Sequence, residues 1–120
     1  MRVPVSIVAI LLGALCVATA IAAPVSLSVS PTTVRAGHLV KIKGSADGCR
    51  IGNTVYILSR AFVHTHQFAG VSAVLAKVRA GGSFGTTTTI PRSRRAARYV
   101  VTARCGGGNL GVTAHLRVIR

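Results

Sequence analysis

The stretch IPRSRRAARYVVTARCGGG, residues 90–108, places Arg92, Arg94, Arg95 and Arg98 close together ahead of an alternating run that ends at Cys105 and a glycine cluster. Guanidinium groups bind phosphate and carboxylate through paired, coplanar donors, so the chemistry this spacing offers is polyanion binding. The same residues also suit a solvated turn leading into a strand. Both readings stand at this level. Sequence-specific nucleic-acid recognition is not expected, because stacking aromatics should interleave with the basic groups and only Tyr99 lies near them.

Other chemistries are poorly supplied. The chain has a single acidic residue, Asp47, so acid/base pairs and glycosidase dyads lack their second carboxylate. Asp47 stands in SADGC, where Asp-Gly marks a turn. The histidines are His38, His64, His66 and His115, with no G-x-S-x-G nucleophile motif to serve. His64 and His66 in HTH have the i, i+2 spacing that lets two strand imidazoles share a metal. Two ligands fall short of the four of a structural zinc site, so solvated loop histidines are expected and no metal or other cofactor is assigned. CGGGNLG lacks the Gly-Lys-Ser/Thr ending of a phosphate loop and reads as a hairpin turn with Asn109 or a glycine at positive φ.

The N-terminus reads as an address. Arg2, an apolar run from Val3 to Val17, and Ala20-Ile21-Ala22 follow the order of a secretory signal peptide cleaved after Ala22. An uncleaved membrane anchor is the competing reading, since the run approaches the roughly 20 residues that span a bilayer. Leu15 directly before Cys16 is a poor lipoprotein site. Cleavage leaves one domain, residues 23–120, with no remaining membrane span and two cysteines, Cys49 and Cys105. An exported cysteine pair is expected to form a disulfide. The formal net charge of the whole chain is +14, and losing Arg2 makes it +13. That imbalance favours polyanionic partners, although arginine-, alanine- and glycine-rich composition also follows from base composition.

Period-2 alternation cut by turn residues dominates the mature region. PVSLSVSP, HLVKIKG, TVYILSR, SFGTTTTI, RYVVTARC and LGVTAHLRVI each read as strands. VSAVLAKVRA, the one stretch with helical spacing, is bracketed by Gly70 and Gly81-Gly82 and is assigned as a seventh strand. Thr86 to Thr89 suit a strand by β-branching. Arg98 and Arg104 alternate against Tyr99, Val101 and Ala103, and with His115 and Arg117 they would form a cationic strip. The expected fold class is an all-β sandwich or barrel.

VSPTTVRAGHLVKIKGSADGC, followed by FGTTTTIP and YVVTARCGG, resembles the immunoglobulin-like domains of secreted bacterial proteins. The resemblance covers most of residues 25–119 and implies a seven-strand antiparallel sandwich. It also implies that Cys49, after the second strand, and Cys105, at the end of the sixth, meet at one end. The opening from Leu27 through Val29 and Pro31 to Gly37 is similar to that of the enediyne chromoprotein apoproteins, which share the sandwich type. Those carriers are typically acidic and this chain is basic, so their ligand is not carried over.

The expected function is a secreted, non-catalytic binding or surface-interaction module. Its charge would hold it at an anionic cell-envelope polymer, with Arg92, Arg94, Arg95 and Arg98 as the polyanion contact. The alternative is a small-ligand carrier of the chromoprotein type. Mass spectrometry of the extracellular protein is expected to find Ala23 first. An intact Met1 in the membrane fraction would replace the signal peptide with an anchor.

Overall fold

The computed structural model describes residues 25–106 and 108–120, together with residue 13. The expected signal segment, apart from that one residue, and its cleavage site lie outside the described residues. Among the described residues no helix is long and apolar enough to cross a membrane.

The architecture is all-β. The strands are β1 (Ser26–Ser30), β2 (Thr33–Arg35), β3 (Leu39–Ser45), β4 (Thr54–Leu58), β5 (His66–Phe68), β6 (Val71–Lys77), β7 (Ser83–Thr89), β8 (Ala97–Cys105) and β9 (Gly108–Ile119). They form two sheets, one ordered β1-β3-β7 and the other β2-β9-β8-β4-β6-β5. One of the two curls as a half-barrel. All seven alternating runs are strands, including residues 71–77, where helical spacing competed. Two further three-residue strands, β2 and β5, extend the larger sheet at its two edges. β2 runs parallel to β9, and the other pairings are antiparallel.

Alternation decides which face each strand buries. On β3, Val40 and Ile42 are buried while Leu39, Lys41 and Lys43 face out. On β8, Val101 and Ala103 are buried while Arg98 and Val100 are exposed. On β9, Leu116 and Val118 are buried while His115 and Arg117 are exposed. Facing rows from both sheets then form one core around Ile42, Ile57, Phe62, Phe84, Ile90, Val101 and Leu116. Each such large side chain contributes roughly 1.5–3 kcal/mol when fully buried. Gly44 is fixed by this packing, since an added methyl would collide with the Phe84 ring and the Ser26 carbonyl.

The turns carry the residues their geometry requires. Asp47-Gly48 is a turn in which Gly48 has φ 84° and the Cys49 N–H donates to the Ala46 carbonyl at 3.1 Å. β8 and β9 form a hairpin in which Cys105 pairs with Gly108. Glycine rather than Asn109 takes positive φ there, at Gly106 and Gly111, while Asn109 Oδ1 accepts the Gly111 N–H at 2.8 Å.

Cys49 and Cys105 are bonded, with Cα atoms 6.3 Å apart and a sequence separation of 56. Closing a ring of that size removes roughly 4 kcal/mol of unfolded-state entropy in the chain-entropy description. Replacing both cysteines by serine is therefore expected to lower the urea midpoint by about 2 M, at an m-value of about 2 kcal/mol per M. A shift below about 0.5 M in equilibrium unfolding would show that the bond contributes little.

Candidate anion-binding site

The four arginines between β7 and β8 divide into different roles. Arg94 is half-buried and turned inward. Its Nε donates to the Ala61 carbonyl at 3.2 Å and its Nη2 to the Phe62 carbonyl at 2.9 Å. Those carbonyls belong to a segment crossing the end of the core, where Ala61 and Phe62 are fully buried. Local bonds already occupy its other polar groups. Ser59 Oγ accepts the Ala61 N–H at 3.1 Å, and the Phe62 N–H donates to the Ser59 carbonyl at 3.2 Å. A buried carbonyl without a donor is costly, and a fork of coplanar N–H groups serves two adjacent ones at once. Arg94 thus closes the core.

Arg92 lies over the turn between β2 and β3. A Cβ on Gly37 would sit 2.8 Å from Arg92 Cγ, and Gly37 has φ 90°, so glycine is required there twice over. The Arg95 side chain is exposed, and its carbonyl accepts the Tyr99 hydroxyl at 2.7 Å. Arg98 stands on the outward face of β8, directly opposite Arg117 of β9.

Pairing in the large sheet gathers new companions around Arg98. Thr33 of β2 is registered against Arg117, and the Arg117 N–H donates to the Thr32 carbonyl at 2.8 Å. Arg98, Arg117, His115, Thr32 and Thr33 line an open cleft of about 370 Å³. Like charges directly opposite on a sheet repel. The strand ladder nevertheless places these two residues directly opposite each other, and both line the cleft. An anion in the cleft would relieve that repulsion and meet paired N–H donors and two hydroxyls. The only acid, Asp47, is exposed in the turn beside the disulfide. Arg104, further along the expected strip, lies 4.7 Å from the centroid of the Phe68 ring. The strip therefore separates into an end that lines the cleft and an end that meets an aromatic ring.

Lys41 and Lys43 belong to the other sheet. They line a separate cleft of about 570 Å³ with Arg79, Gly85 and Thr87. Arg79 lies across the β7 edge, its N–H donating to the Ser83 carbonyl at 2.8 Å and its Nη2 to the Gly85 carbonyl at 3.5 Å. The histidine pair is split in use. His64 Nδ1 is 2.9 Å from Ser72 Oγ, whereas His66 is exposed opposite Ala73. Among the described residues no group of three or more His, Cys, Asp or Glu side chains is placed to hold a metal ion.

Sequence reasoning had Arg98, His115 and Arg117 on one outward face. It missed Thr32 and Thr33, which join only through the parallel β2–β9 pairing, and it missed the inward role of Arg94.

No family model matches the chain, and no curated protein matches it. Among solved structures, the chain is similar to the alkylpurine DNA glycosylase AlkC of Pseudomonas fluorescens, bound to DNA containing an abasic site analog, at 16% identity and a TM-score of 0.49. It is also similar to Spo0M, a sporulation control protein from Bacillus subtilis, at 14% identity and a TM-score of 0.43. Each match covers 82% of this chain, but only 31% of the first protein and 50% of the second.

The split among the arginines has a measurable consequence. Arg94→Ala leaves two core-edge carbonyls short of donors and is expected to cost about 1–3 kcal/mol in urea unfolding. Arg95→Ala, at an exposed side chain, is expected to stay within about 0.5 kcal/mol. Equal costs would return Arg94 to the solvated loop.

Proposed function

We propose that the chain is a secreted, non-catalytic module of immunoglobulin-like sandwich type that attaches to anionic cell-envelope polymers through the Arg98–Arg117 cleft. The sandwich assignment is supported by the two-sheet strand order and by a disulfide joining one sheet to the other at one end. The bond also fits an oxidising compartment, as export requires.

One observation carries the functional reading. Two guanidinium groups, an imidazole and two threonines share one exposed cleft with no carboxylate beside them. Repeated phosphates or carboxylates along a polymer match such a site, and the charge of the whole chain draws the polymer in. A carrier of the chromoprotein type has less support. It would need space between the sheets, where Ile42, Ile57, Phe62 and Leu116 are fully buried against one another.

Replacing all four loop arginines would mix binding with folding, because Arg94 holds the core closed. The cleaner comparison is Arg98→Ser with Arg117→Ser against Lys41→Ser with Lys43→Ser, since each pair removes two charges. With polyphosphate as the probe, the first pair is expected to weaken binding about tenfold, or about 1.4 kcal/mol, and the second about twofold. Affinity should fall steeply between 0.1 and 1 M salt, as the screening length drops from about 10 Å to about 3 Å. Equal losses from the two pairs would reduce the cleft to a share of the general charge.

A further inference from the structure

Arg98 lines a second cleft as well. That one is an open trough of about 460 Å³ lined by Leu58, Val71 and Val100 together with Arg60 and Thr102. Val100 is 52% exposed, although it is a β-branched apolar residue in the middle of a long strand. It sits on the outward face of β8 between Arg98 and Thr102, and its cross-strand partner is His115. A single exposed apolar residue needs no explanation. Here the exposed Val100 shares a trough with the half-buried Leu58 and Val71, beside an arginine pair, and that combination has a shared chemistry.

We infer that the cationic cleft and this trough form one continuous site for an anionic lipid. The headgroup lies against Arg98 and Arg117, and the first methylenes of the alkyl chain lie along Val100, Leu58 and Val71. The inference rests on the reading that the Arg98–Arg117 cleft takes anions, and it extends that reading from polymers to an anionic lipid. A wholly hydrophilic polymer would leave Val100 wet. A neutral apolar ligand would leave the guanidinium groups without counter-charge. An anionic amphiphile satisfies both halves, and Arg60 adds a third cation to the lining. The threonines fit the same division, with Thr32 and Thr33 among the headgroup donors and Thr102 at the edge of the chain path.

The test uses alkyl phosphates of two, four and six carbons, titrated into the folded, disulfide-bonded protein and followed by calorimetry. Half-burial of a methylene is worth about half of the roughly 0.8 kcal/mol of full burial, or about twofold in affinity. From ethyl to hexyl phosphate the gain is then expected to reach about 16-fold. Val100→Thr keeps the branched shape and should flatten that gain while leaving polyphosphate binding unchanged. Vesicles of phosphatidylcholine and phosphatidylglycerol at 3:1 should bind the native chain, and Val100→Thr should bind them several-fold more weakly. Affinity that does not change with chain length overturns the lipid assignment and leaves the anion cleft standing. So does binding of alkyl phosphates without binding of vesicles. Polyphosphate binding that survives Arg98→Ser with Arg117→Ser removes the anion reading itself.

Discussion

The Cys49–Cys105 bond ties the loop after β3, on the three-stranded sheet, to the last residue of β8, on the six-stranded one. Much of the core they enclose is valine and alanine, with Phe62 and Phe84 as its buried aromatics. Small side chains bring little apolar area each, so a core of this composition gains modestly from burial. A covalent tie at one end therefore carries an unusual share of the work of keeping the sheets in register. The other end has no second disulfide. There the chain folds the Ser59–Phe62 segment across the opening, and Arg94 reaches from the β7–β8 loop to hold its carbonyls. One end is closed by a bond and the other by a guanidinium fork, with the packed side chains of both sheets between them.

The scarcity of acid explains how the arginines are used. In most proteins a half-buried guanidinium finds a carboxylate, but Asp47 is the only one in this sequence. Arg94 turns instead to backbone carbonyls and Arg104 lies over an aromatic ring, while the exposed Arg79 also reaches a carbonyl, that of Gly85. Carbonyl and ring partners satisfy donors without cancelling charge. The folded protein consequently keeps nearly its full positive charge even where its arginines have structural work. The exposed pair Arg98 and Arg117 shows the same arithmetic at the surface. The ladder places them opposite each other, and the one acidic side chain of the sequence, Asp47, is not among the residues that line their cleft.

Strand identity was legible where alternation ran for five residues or more, and the outward placement of Lys41, Lys43, Arg98, His115 and Arg117 followed from the same period. β2 and β5 were not legible, because three residues are too few for a period-2 signal to rise above chance. Their existence depends on partners far away in sequence, β9 for one and β6 for the other. The role of Arg94 was hidden for a related reason. Its acceptors lie 32 and 33 residues upstream in a segment that reads as a loop. Ala-Phe-Val at residues 61–63 was the one available hint, an apolar triplet between polar neighbours that asked for a covering partner. The cleft required knowing that the β2 edge lies against β9, which no local pattern states.

Charge and shape make different contributions to recognition here. Lys41, Lys43 and Arg79 face outward from one sheet, and Arg98 and Arg117 from the other. A field spread over both faces draws polyanions from every side without choosing an orientation. Orientation must then come from local geometry. Ammonium groups offer point charges that tolerate many poses, whereas each guanidinium offers paired coplanar donors, and adjacent strands root two of them opposite each other. On the three-stranded sheet Arg79 directs one guanidinium donor to the Gly85 carbonyl of β7. On the six-stranded sheet the strand ladder uses only the backbone of Arg98 and Arg117, so their side chains stand at the cleft mouth beside Val100. Under the proposed attachment, the general charge would set how readily the protein reaches an anionic surface, and the Arg98–Arg117 face would set how it sits there.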